Sequence, residues 1–333
     1  MQSGGQCIDL SAVGDPDVLV PVTRPVVDPG PGQILVRIKA AGVAYADVKM
    51  RHGIYPGAPK IPFVPGYDFA GVVEAVGSGE TPFAVGDNVA GLTKVGSYAE
   101  YLTLAPRHVA KMGSNTAFVP AAASVLNYVT AYQLIHRCTA IDEKHSVLVH
   151  GGGGGVGTAL LDLLRGLNVT VFATASESKH DLVRSYGATP IDYRAHDFVN
   201  VIKSQHGRVD AVFDHIGGQH LWRSRKVLQP RGQLVCFGFA GAVQDGNGAA
   251  LGTLARITAM KCMPGPSAKF YGILSPGFSF EDHIAADLDQ VMRLLDAGSI
   301  SPHVGAELPL EEAANAHRML EEARVAGKIV LLP

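Results

Sequence analysis

Cysteine is scarce in this sequence and is not clustered. The four cysteines, Cys7, Cys138, Cys236 and Cys262, are far apart, and no two have the spacing of a CxxC pair. The spacing therefore predicts neither a disulfide framework nor a cysteine-based metal centre. Free thiols are typical of a reducing compartment, so the sequence favours a cytoplasmic protein.

An excess of charge and long apolar runs are also missing. The 333 residues carry 28 Lys and Arg against 30 Asp and Glu, a net charge of −2, with no run of like charges. Nucleic-acid binding requires clustered basic residues, so that class of function is not expected. No apolar stretch reaches the ~18 residues of a membrane span, and the N-terminus MQSGGQCIDL lacks the basic and apolar regions of a secretory signal.

Two kinds of sequence pattern follow one another along the chain. Up to about residue 120, short apolar runs alternate with Gly and Pro, as in GQILVRIKAAGV, FAGVVEAVG and SYAEYLTL, which predicts a mostly β domain. From residue 146, predicted strands and helices alternate at short spacing, as in SVLVH, VGTALLDLLRGL, VTVFATA and SKHDLVRSYGA. Such alternation is typical of parallel βαβ units. The expected fold class is α/β, with a β domain and a doubly wound parallel sheet.

A run of five glycines stands between a predicted strand and a predicted helix, in VLVHGGGGGVGTALL. Read from Gly152, the run fits the dinucleotide fingerprint GxGxxG. Its first glycine allows a tight turn, its second lets backbone approach a pyrophosphate, and its third lets the helix pack closely on the strand. The helix N-terminus then presents free N–H groups to the anion. The residues predicted to bind a dinucleotide here are Gly152, Gly154, Gly155, Val156 and Gly157.

The residues after the next predicted strand indicate which dinucleotide is bound. An NAD site usually has an Asp or Glu at the end of that strand, where it binds the ribose 2′-hydroxyl. The strand VTVFATAS has no acid at its end, although Glu177 follows closely. Ser176 and Lys179 can instead bind a 2′-phosphate. The predicted cofactor is therefore NADPH.

Motifs along nearly the whole chain resemble those of medium-chain dehydrogenase/reductases, in the same order: GVAYADVKMRHGIYP, VPGYDFAGVVEAVG, NYVTAY, VLVHGGGGGVG, VDAVFDHIGG and AGKIVLL. The resemblance is closest to the zinc-free quinone oxidoreductase (zeta-crystallin-like) branch. It implies a GroES-like substrate domain over residues 1–121, a Rossmann NADPH-binding domain over 122–265 and a return to the first domain over 266–333. It also implies a homodimer, for which GQLVCFGFAG is the expected edge strand.

The zinc ligands of this family are missing from the matching motifs. The positions of the family's Cys and His ligands hold Ala44 and Tyr67, and GLTKVGSYAEY runs on without the four-cysteine lobe. Catalytic zinc needs about three protein ligands, so no metal is expected. Without a Lewis acid, alcohol dehydrogenation is disfavoured. The expected reaction is hydride transfer from NADPH to a quinone or to the β-carbon of an α,β-unsaturated carbonyl.

The resemblance also implies roles for individual residues. Tyr55, in GIYP, matches a tyrosine that lines the substrate site, and its phenol can donate a proton to an enolate. Tyr45, Asp47 and Tyr67 are expected around the same site, with Asp47 in a structural hydrogen-bonding role. The further cofactor contacts implied are Asn127, Thr130, Ser176, Lys179, Tyr193, Phe237, Gly238, Phe270 and Tyr271.

Two alternatives to a quinone or enone reductase remain open at the level of sequence. One is an enoyl-thioester reductase or natural-product tailoring enzyme of the same family, acting on a carrier-bound intermediate. The other belongs to a different class, a protein that binds NADPH with little turnover. The segment 241–268 does not distinguish them, because the linear sequence shows no basic rim for a carrier or for coenzyme A.

Overall fold

The computed structural model describes residues 4–240 and 248–333, and the chain divides into two compact units. Unit 1 comprises Met1–Val129 and Asp282–Pro333, and unit 2 comprises Thr130–Glu281. The first unit is thus built from both ends of the chain. The divisions lie after residues 129 and 281 rather than after 121 and 265. The second lies later because the strand Ser267–Phe270 is hydrogen-bonded into the sheet of unit 2.

The described helices and strands are numbered in chain order. The strands are β1 (Gly5–Leu10), β2 (Leu19–Arg24), β3 (Ile34–Val43), β4 (Asp68–Val76), β5 (Asn88–Leu92), β6 (Tyr101–Leu104), β7 (Val109–Lys111), β8 (Ser146–His150), β9 (Thr170–Ala175), β10 (Thr189–Asp192), β11 (Val209–Asp214), β12 (Leu228–Cys236), β13 (Ser267–Phe270), β14 (Val304–Pro309) and β15 (Lys328–Leu332). The helices are α1 (Tyr45–Arg51), α2 (Phe118–Gln133), α3 (Gly155–Arg165), α4 (His180–Ser185), α5 (Phe198–Gln205), α6 (His220–Lys226), α7 (Gly248–Lys261), α8 (Ile284–Asp296) and α9 (Ala313–Glu321).

Unit 1 is built on a seven-stranded sheet of order β14-β15-β3-β4-β5-β7, in which β6 also pairs with β3. Neighbouring strands are antiparallel, except that β14 and β15 run parallel. The apolar runs expected to be strands form β3, β4 and β6. The last strand of the chain, β15, pairs with β3, so the C-terminal segment completes the sheet that the N-terminal segment begins.

Unit 2 is a six-stranded sheet in which all neighbouring strands are parallel. Its order, β10-β9-β8-β11-β12-β13, is the 3-2-1-4-5-6 order of the Rossmann fold, which confirms the expected doubly wound sheet. Val147, Leu148 and Val149 of β8 are all 0% exposed. Such continuous burial is typical of a parallel strand with helices on both faces of its sheet. The strand order reverses between β8 and β11, so ligands are expected beyond the carboxyl ends of these two strands.

One expectation about the later part of unit 2 is corrected by the structure. The expected edge strand, which contains β12, lies between β11 and β13, and β13 forms the edge instead. In the segment 241–268, the helix α7 covers Gly248–Lys261, whereas residues 241–247 lie outside the described residues. Among the described strands, the two edges of this sheet are β10 and β13, and the edge next to the expected strand is that of β13.

The expectation that no apolar stretch is as long as a membrane span is also corrected. Among the described residues, one helix of 21 residues, Phe118–Cys138, is long and apolar enough to cross a membrane by length and composition. It joins α2 to a π-helical turn, and 78% of its apolar window is buried inside the protein. A buried core helix of a globular protein can have the same length and apolar composition, so this helix is weak evidence for a membrane span.

A buried ion pair joins β4 to β15, the last strand of the chain, in unit 1. Lys328 Nζ in β15 lies 2.8 Å from Asp68 Oδ2 in β4, with the two side chains 3% and 0% exposed. The same carboxylate oxygen accepts the backbone N–H of Leu126 at 3.1 Å. A Cβ on Gly42 would lie 2.3 Å from both Asp68 Oδ1 and Lys328 Cε, so β3 needs glycine where it passes the pair.

We expect Lys328→Met to lower the free energy of unfolding by about 3–5 kcal/mol, because it leaves the carboxylate of Asp68 buried without its cation. Urea denaturation measures the loss. The control is Arg37→Met in the Arg37–Glu74 pair, whose side chains are 43% and 45% exposed. That change should cost less than about 1 kcal/mol. Equal losses in the two variants would contradict a stabilising role for the buried pair.

Candidate functional site

The glycine run of unit 2 forms a tight strand–turn–helix connection. The strand β8 ends at His150 and α3 begins at Gly155, with Gly154 as its N-cap. Gly151 has a φ of +71°, a conformation that favours glycine. A Cβ on Gly152 would lie 2.7 Å from Ala173 Cβ, and one on Gly157 would lie 2.0 Å from the carbonyl oxygen of Gly151. These two glycines are therefore required for packing.

Gly154 differs from its neighbours because packing does not require it. A Cβ there would approach no closer than 3.4 Å to the Gly151 oxygen, and its extended backbone, with φ −90° and ψ 175°, suits any residue. The lack of a side chain leaves open the space in front of the N-terminus of α3. Free N–H groups and the helix dipole attract an anion to such a position. Gly155 and Val156 form the first turn of that helix.

Two cations lie near each other beyond the carboxyl end of β9. Lys179 ends a 3₁₀ turn that follows Ser176, and its stem packs on the glycine run, because a Cβ on Gly153 would lie 2.6 Å from Lys179 Cδ. Burial, and then the charge of Arg194, hold the pKa of Lys179 below its usual value. The guanidinium of Arg194 also lies 5.7 Å from the ring centre of Tyr193, which is 53% exposed.

This arrangement brings together Ser176, Lys179 and Tyr193, three residues singled out from the sequence. Arg194 was missed, although it directly follows Tyr193 in the motif DYRAHDF. Two cations, a hydroxyl and a phenol can together bind a phosphate monoester, since charge-assisted hydrogen bonds are the strong ones in such a site.

Four other predicted cofactor residues of unit 2 lie at or just after the last two strands of its sheet, β12 and β13. Phe237 and Gly238 follow β12, and the N–H of Phe237 donates to the Asp214 carbonyl at 2.9 Å. Phe270 ends β13 and stacks on Phe239, with ring centres 5.1 Å apart. Tyr271 is 1% exposed, and its hydroxyl donates to Gln133 Oε1 at 2.7 Å.

Two further predicted cofactor residues lie on α2. Thr130 belongs to unit 2 and Asn127 to unit 1, and each side chain is 6% exposed.

A cluster of His150, Asp214 and His220 lies behind the glycine run, with ligand atoms within 4.8 Å of one another. Such a group could hold a metal ion by residue type alone. The hydroxyl oxygen of Ser224, however, lies 3.1 Å from His150 Nε2, 2.7 Å from Asp214 Oδ2 and 3.4 Å from His220 Nδ1. The serine hydroxyl therefore occupies the space that a shared ion would need.

The same cluster positions the backbone at the end of two strands. Asp214 Oδ1 accepts the N–H groups of Ile216 and Gly217, and His150 Nδ1 contacts Thr174 Oγ1, which accepts the N–H of Gly151. Burial lowers the pKa of His150 to about 3, so this imidazole is neutral at physiological pH. We interpret the cluster as a hydrogen-bonded support for the turns that follow β8 and β11.

Unit 1 brings two predicted substrate-site tyrosines into direct contact. The phenol oxygens of Tyr55 and Tyr67 are 2.5 Å apart, and their rings meet edge to face. Tyr55 is partly exposed, with the ammonium of Lys94 5.9 Å from its ring centre, whereas Tyr67 is 1% exposed. Tyr45, at the start of α1, is also partly exposed, and Lys49 Nζ lies 5.6 Å from its ring centre.

Asp47 is fully buried and holds two loops in place. One carboxylate oxygen accepts the N–H of Ala44 at 2.9 Å and the hydroxyl of Tyr98 at 3.1 Å, and the other accepts the N–H of Gly66 at 3.2 Å. Tyr98 in turn contacts His317 Nε2 at 3.2 Å. Burial raises the pKa of Asp47 to about 7, against the effect of the Ala44 hydrogen bond. Asp47 therefore fixes the loops that carry Tyr45 and Tyr67, whereas its own side chain has no exposed surface.

The positions of the family's zinc ligands do not suit zinc. Ala44 has no donor atom. Burial, and then the neighbouring Tyr55, keep the pKa of Tyr67 well above its usual value, so this phenol stays protonated and hydrogen-bonded. An alanine and a protonated phenol at these two positions do not fit a metal ion.

Comparisons with known proteins agree with this architecture. Residues 30–114 match the family model described as the alcohol dehydrogenase GroES-like domain, and residues 186–331 match the one described as zinc-binding dehydrogenase. The rat synaptic vesicle membrane protein VAT-1 homolog is 35% identical over 98% of this chain and 84% of its own length. A probable quinone oxidoreductase of Schizosaccharomyces pombe is 30% identical over 98% of this chain and 96% of its own.

A solved structure, Escherichia coli quinone oxidoreductase complexed with NADPH, has a TM-score of 0.85 to this chain at 27% identity. The match covers 98% of this chain and all of that one. The comparisons confirm the expected combination of a GroES-like domain with a Rossmann sheet, and they support a nicotinamide cofactor.

Two glycine variants separate packing from ligand access in the loop. Gly157→Ala should lower the melting temperature, because the new Cβ would meet the Gly151 carbonyl oxygen at 2.0 Å. Gly154→Ala should leave the melting temperature nearly unchanged but weaken dinucleotide binding at least tenfold, because it fills the path of the pyrophosphate. Differential scanning fluorimetry and calorimetric titration measure the two effects. Unchanged affinity in Gly154→Ala would contradict this location for the ligand.

The buried carboxyl of Asp47 predicts a pH dependence of stability. Its pKa is about 7 in the folded protein against a reference value of 3.8. Between these two pH values the folded state binds more protons than the unfolded state, so stability falls as pH rises, by up to about 1.4 kcal/mol per pH unit. In Asp47→Asn this contribution disappears. Urea denaturation from pH 4 to 8 should show wild type losing stability relative to the variant, and parallel curves would contradict the raised pKa.

Proposed function

Because this chain belongs to the quinone oxidoreductase (zeta-crystallin-like) branch of the medium-chain dehydrogenase/reductases, we propose that it transfers a hydride from NADPH to a quinone or to the β-carbon of an α,β-unsaturated carbonyl. The observation that carries the proposal is the phenol pair in unit 1. Where zinc-dependent relatives would polarise an alcohol with a metal, Tyr67 contacts Tyr55, a hydrogen-bond donor. A donor of this kind suits an acceptor whose oxygen gains negative charge.

Unit 2 supplies the groups that would hold the cofactor. The N-terminus of α3 would receive the pyrophosphate, with Gly154 leaving the approach open. Lys179 and Arg194 would pair with the 2′-phosphate, and Tyr193 would lie beside it. When bound, NADPH supplies the hydride.

Tyr55 would complete the reaction by supplying a proton. Hydride addition at the β-carbon of an enone produces an enolate, and the hydroxyl of Tyr55 would donate its proton to that anion. For a quinone, the same proton would go to the oxygen of the hydroquinone anion. Water then returns a proton to the Tyr55 phenolate, so each cycle consumes one hydride and one proton. Tyr45 would line the acceptor site from the start of α1.

The proposed setting of the enzyme is a homodimer in the cytoplasm. The edge strand β13 would pair with its counterpart in the second copy. The cytoplasmic setting agrees with the four free cysteines, three of which are buried.

NADPH oxidation followed at 340 nm, against a benzoquinone, a naphthoquinone, a 2-alkenal, a cyclic enone and crotonyl-CoA, tests this function directly. We expect turnover with the quinones or the enones. Turnover with crotonyl-CoA alone would favour an enoyl-thioester reductase. Tight NADPH binding without turnover across the panel would favour a binding protein and contradict the proposal.

The preference for NADPH over NADH is expected to depend on Lys179. Lys179→Met should raise KM for NADPH by about tenfold or more, because it removes a charge-assisted hydrogen bond to phosphate, and it should leave KM for NADH nearly unchanged. Lys203→Met on α5, an exposed lysine of the same unit, is the matched control and should change neither value. Equal effects of Lys179→Met on both cofactors would place the 2′-phosphate elsewhere.

A further inference from the structure

Tyr67 stands at a position where its phenol has a single described partner. Tyr67 is 1% exposed, and within residues 4–240 and 248–333 its hydroxyl is hydrogen-bonded to that of Tyr55, at 2.5 Å. Its backbone is held as well, because the carbonyl of Tyr67 accepts the N–H of Thr93 at 2.8 Å and Asp47 holds the preceding Gly66. Burial of the side chain and hydrogen bonds of the backbone therefore both hold the phenol in place.

Burial decides which phenol donates in this pair. A hydroxyl has one proton, and a buried donor left without an acceptor costs about 1–3 kcal/mol. Tyr67 avoids that cost by donating to Tyr55 Oη. Tyr55 is partly exposed, so its own proton can be directed to another acceptor. The pKa directions agree, since this hydrogen bond lowers the pKa of Tyr55 against the effect of burial and raises that of Tyr67.

We propose that Tyr67 is a positioning residue, which donates its phenol hydrogen bond to Tyr55 and thereby holds the Tyr55 hydroxyl as the proton donor to the substrate. The inference rests on the proposed function and assigns Tyr67 a role through Tyr55 rather than direct contact with substrate. The residue at the family's zinc-ligand position thus supports a proton donor instead of a metal.

The chemical benefit arises when Tyr55 gives up its proton. The O–H bond of Tyr55 breaks, the proton moves to the enolate or hydroquinone anion, and negative charge remains on Tyr55 Oη. The O–H of Tyr67 already points at that oxygen and stabilises the phenolate without any rearrangement. A hydrogen bond to a charged oxygen is stronger than one to a neutral oxygen, so the interaction strengthens as the proton leaves.

A double-mutant cycle tests the coupling between the two phenols. With the acceptor that wild type reduces fastest, Tyr55→Phe should lower kcat by more than tenfold. Tyr67→Phe should lower kcat by about tenfold, with KM changed less than threefold. The double variant should be no slower than Tyr55→Phe alone, because Tyr67 acts only through Tyr55. Tyr101→Phe, which removes a phenol from β6 of the same unit, is the control and should retain wild-type kcat.

Each possible result of the double-mutant cycle either supports or contradicts the role proposed for Tyr67. If Tyr67→Phe slows the Tyr55→Phe variant as much as it slows wild type, Tyr67 acts independently and the inference is wrong. If Tyr67→Phe has wild-type kcat, the inference is also wrong, although the proposed function stands. If wild type itself reduces no acceptor, the proposed function fails, and the catalytic role of Tyr67 fails with it.

The hydrogen bond is measured without turnover by fluorine NMR of protein labelled with 3-fluorotyrosine. The resonance of Tyr67 is assigned by its loss in Tyr67→Phe. It should shift in Tyr55→Phe, because its acceptor is gone, and stay in place in Tyr101→Phe. An unchanged Tyr67 resonance in Tyr55→Phe would overturn the contact on which the inference depends.

Discussion

Buried polar side chains must find partners inside the protein, and this constraint determines where the candidate-site loops lie. In unit 1, Asp47 is fully buried and bonds the backbone at Ala44 and Gly66, on the two loops that present Tyr45 and Tyr67. In unit 2, Asp214 does the same for the turn after β11. Each carboxyl group loses its hydration on folding, so a loop that moved away would leave a buried polar group without hydrogen-bond partners, at a cost in free energy. The buried aspartate of each unit, Asp47 or Asp214, thus keeps the neighbouring loops in one conformation.

The two units use this constraint for different purposes. In unit 2 the supported turns leave backbone N–H groups and an empty approach in front of α3, which is an arrangement for a ligand with phosphate groups. In unit 1 the supported loops bring two phenols together, an arrangement that suits the proton transfer proposed above. The division of labour agrees with a family in which the cofactor carries the reducing chemistry and the protein supplies orientation and polarity.

Local patterns allowed the sequence to predict unit 2 better than unit 1. The strand, turn and helix around Gly152 follow one another within a few residues, and periodicity with glycine spacing is enough to recognise them. The contact of Asp68 with Lys328 joins residues 260 positions apart, and no local pattern marks either as half of a pair. The phenol pair is similar, because the family resemblance could place Tyr55 and Tyr67 near one site but could not show that their hydroxyls are in contact.

The incorrect prediction of the edge strand in unit 2 has a comparable cause. The strand β12 has a strong apolar run, which predicts that it is a strand but gives no information about its neighbours in a parallel sheet. The edge strand next to it, β13, has only the short sequence SAKF, with a weak pattern. Arg194 was missed for a related reason, since one cation in a polar loop resembles any solvated surface residue until the fold brings it near Lys179.

The stem of Lys179 packs on Gly153, a glycine of the run that the fingerprint leaves free to vary. A Cβ on Gly153 would lie 2.6 Å from Lys179 Cδ, so a larger residue at this variable position would displace the lysine side chain. If Lys179 binds a 2′-phosphate as proposed, the choice of cofactor depends on the glycine run as well as on the residues that follow β9. A redesign of that choice would then involve position 153 as well as the charges that follow β9.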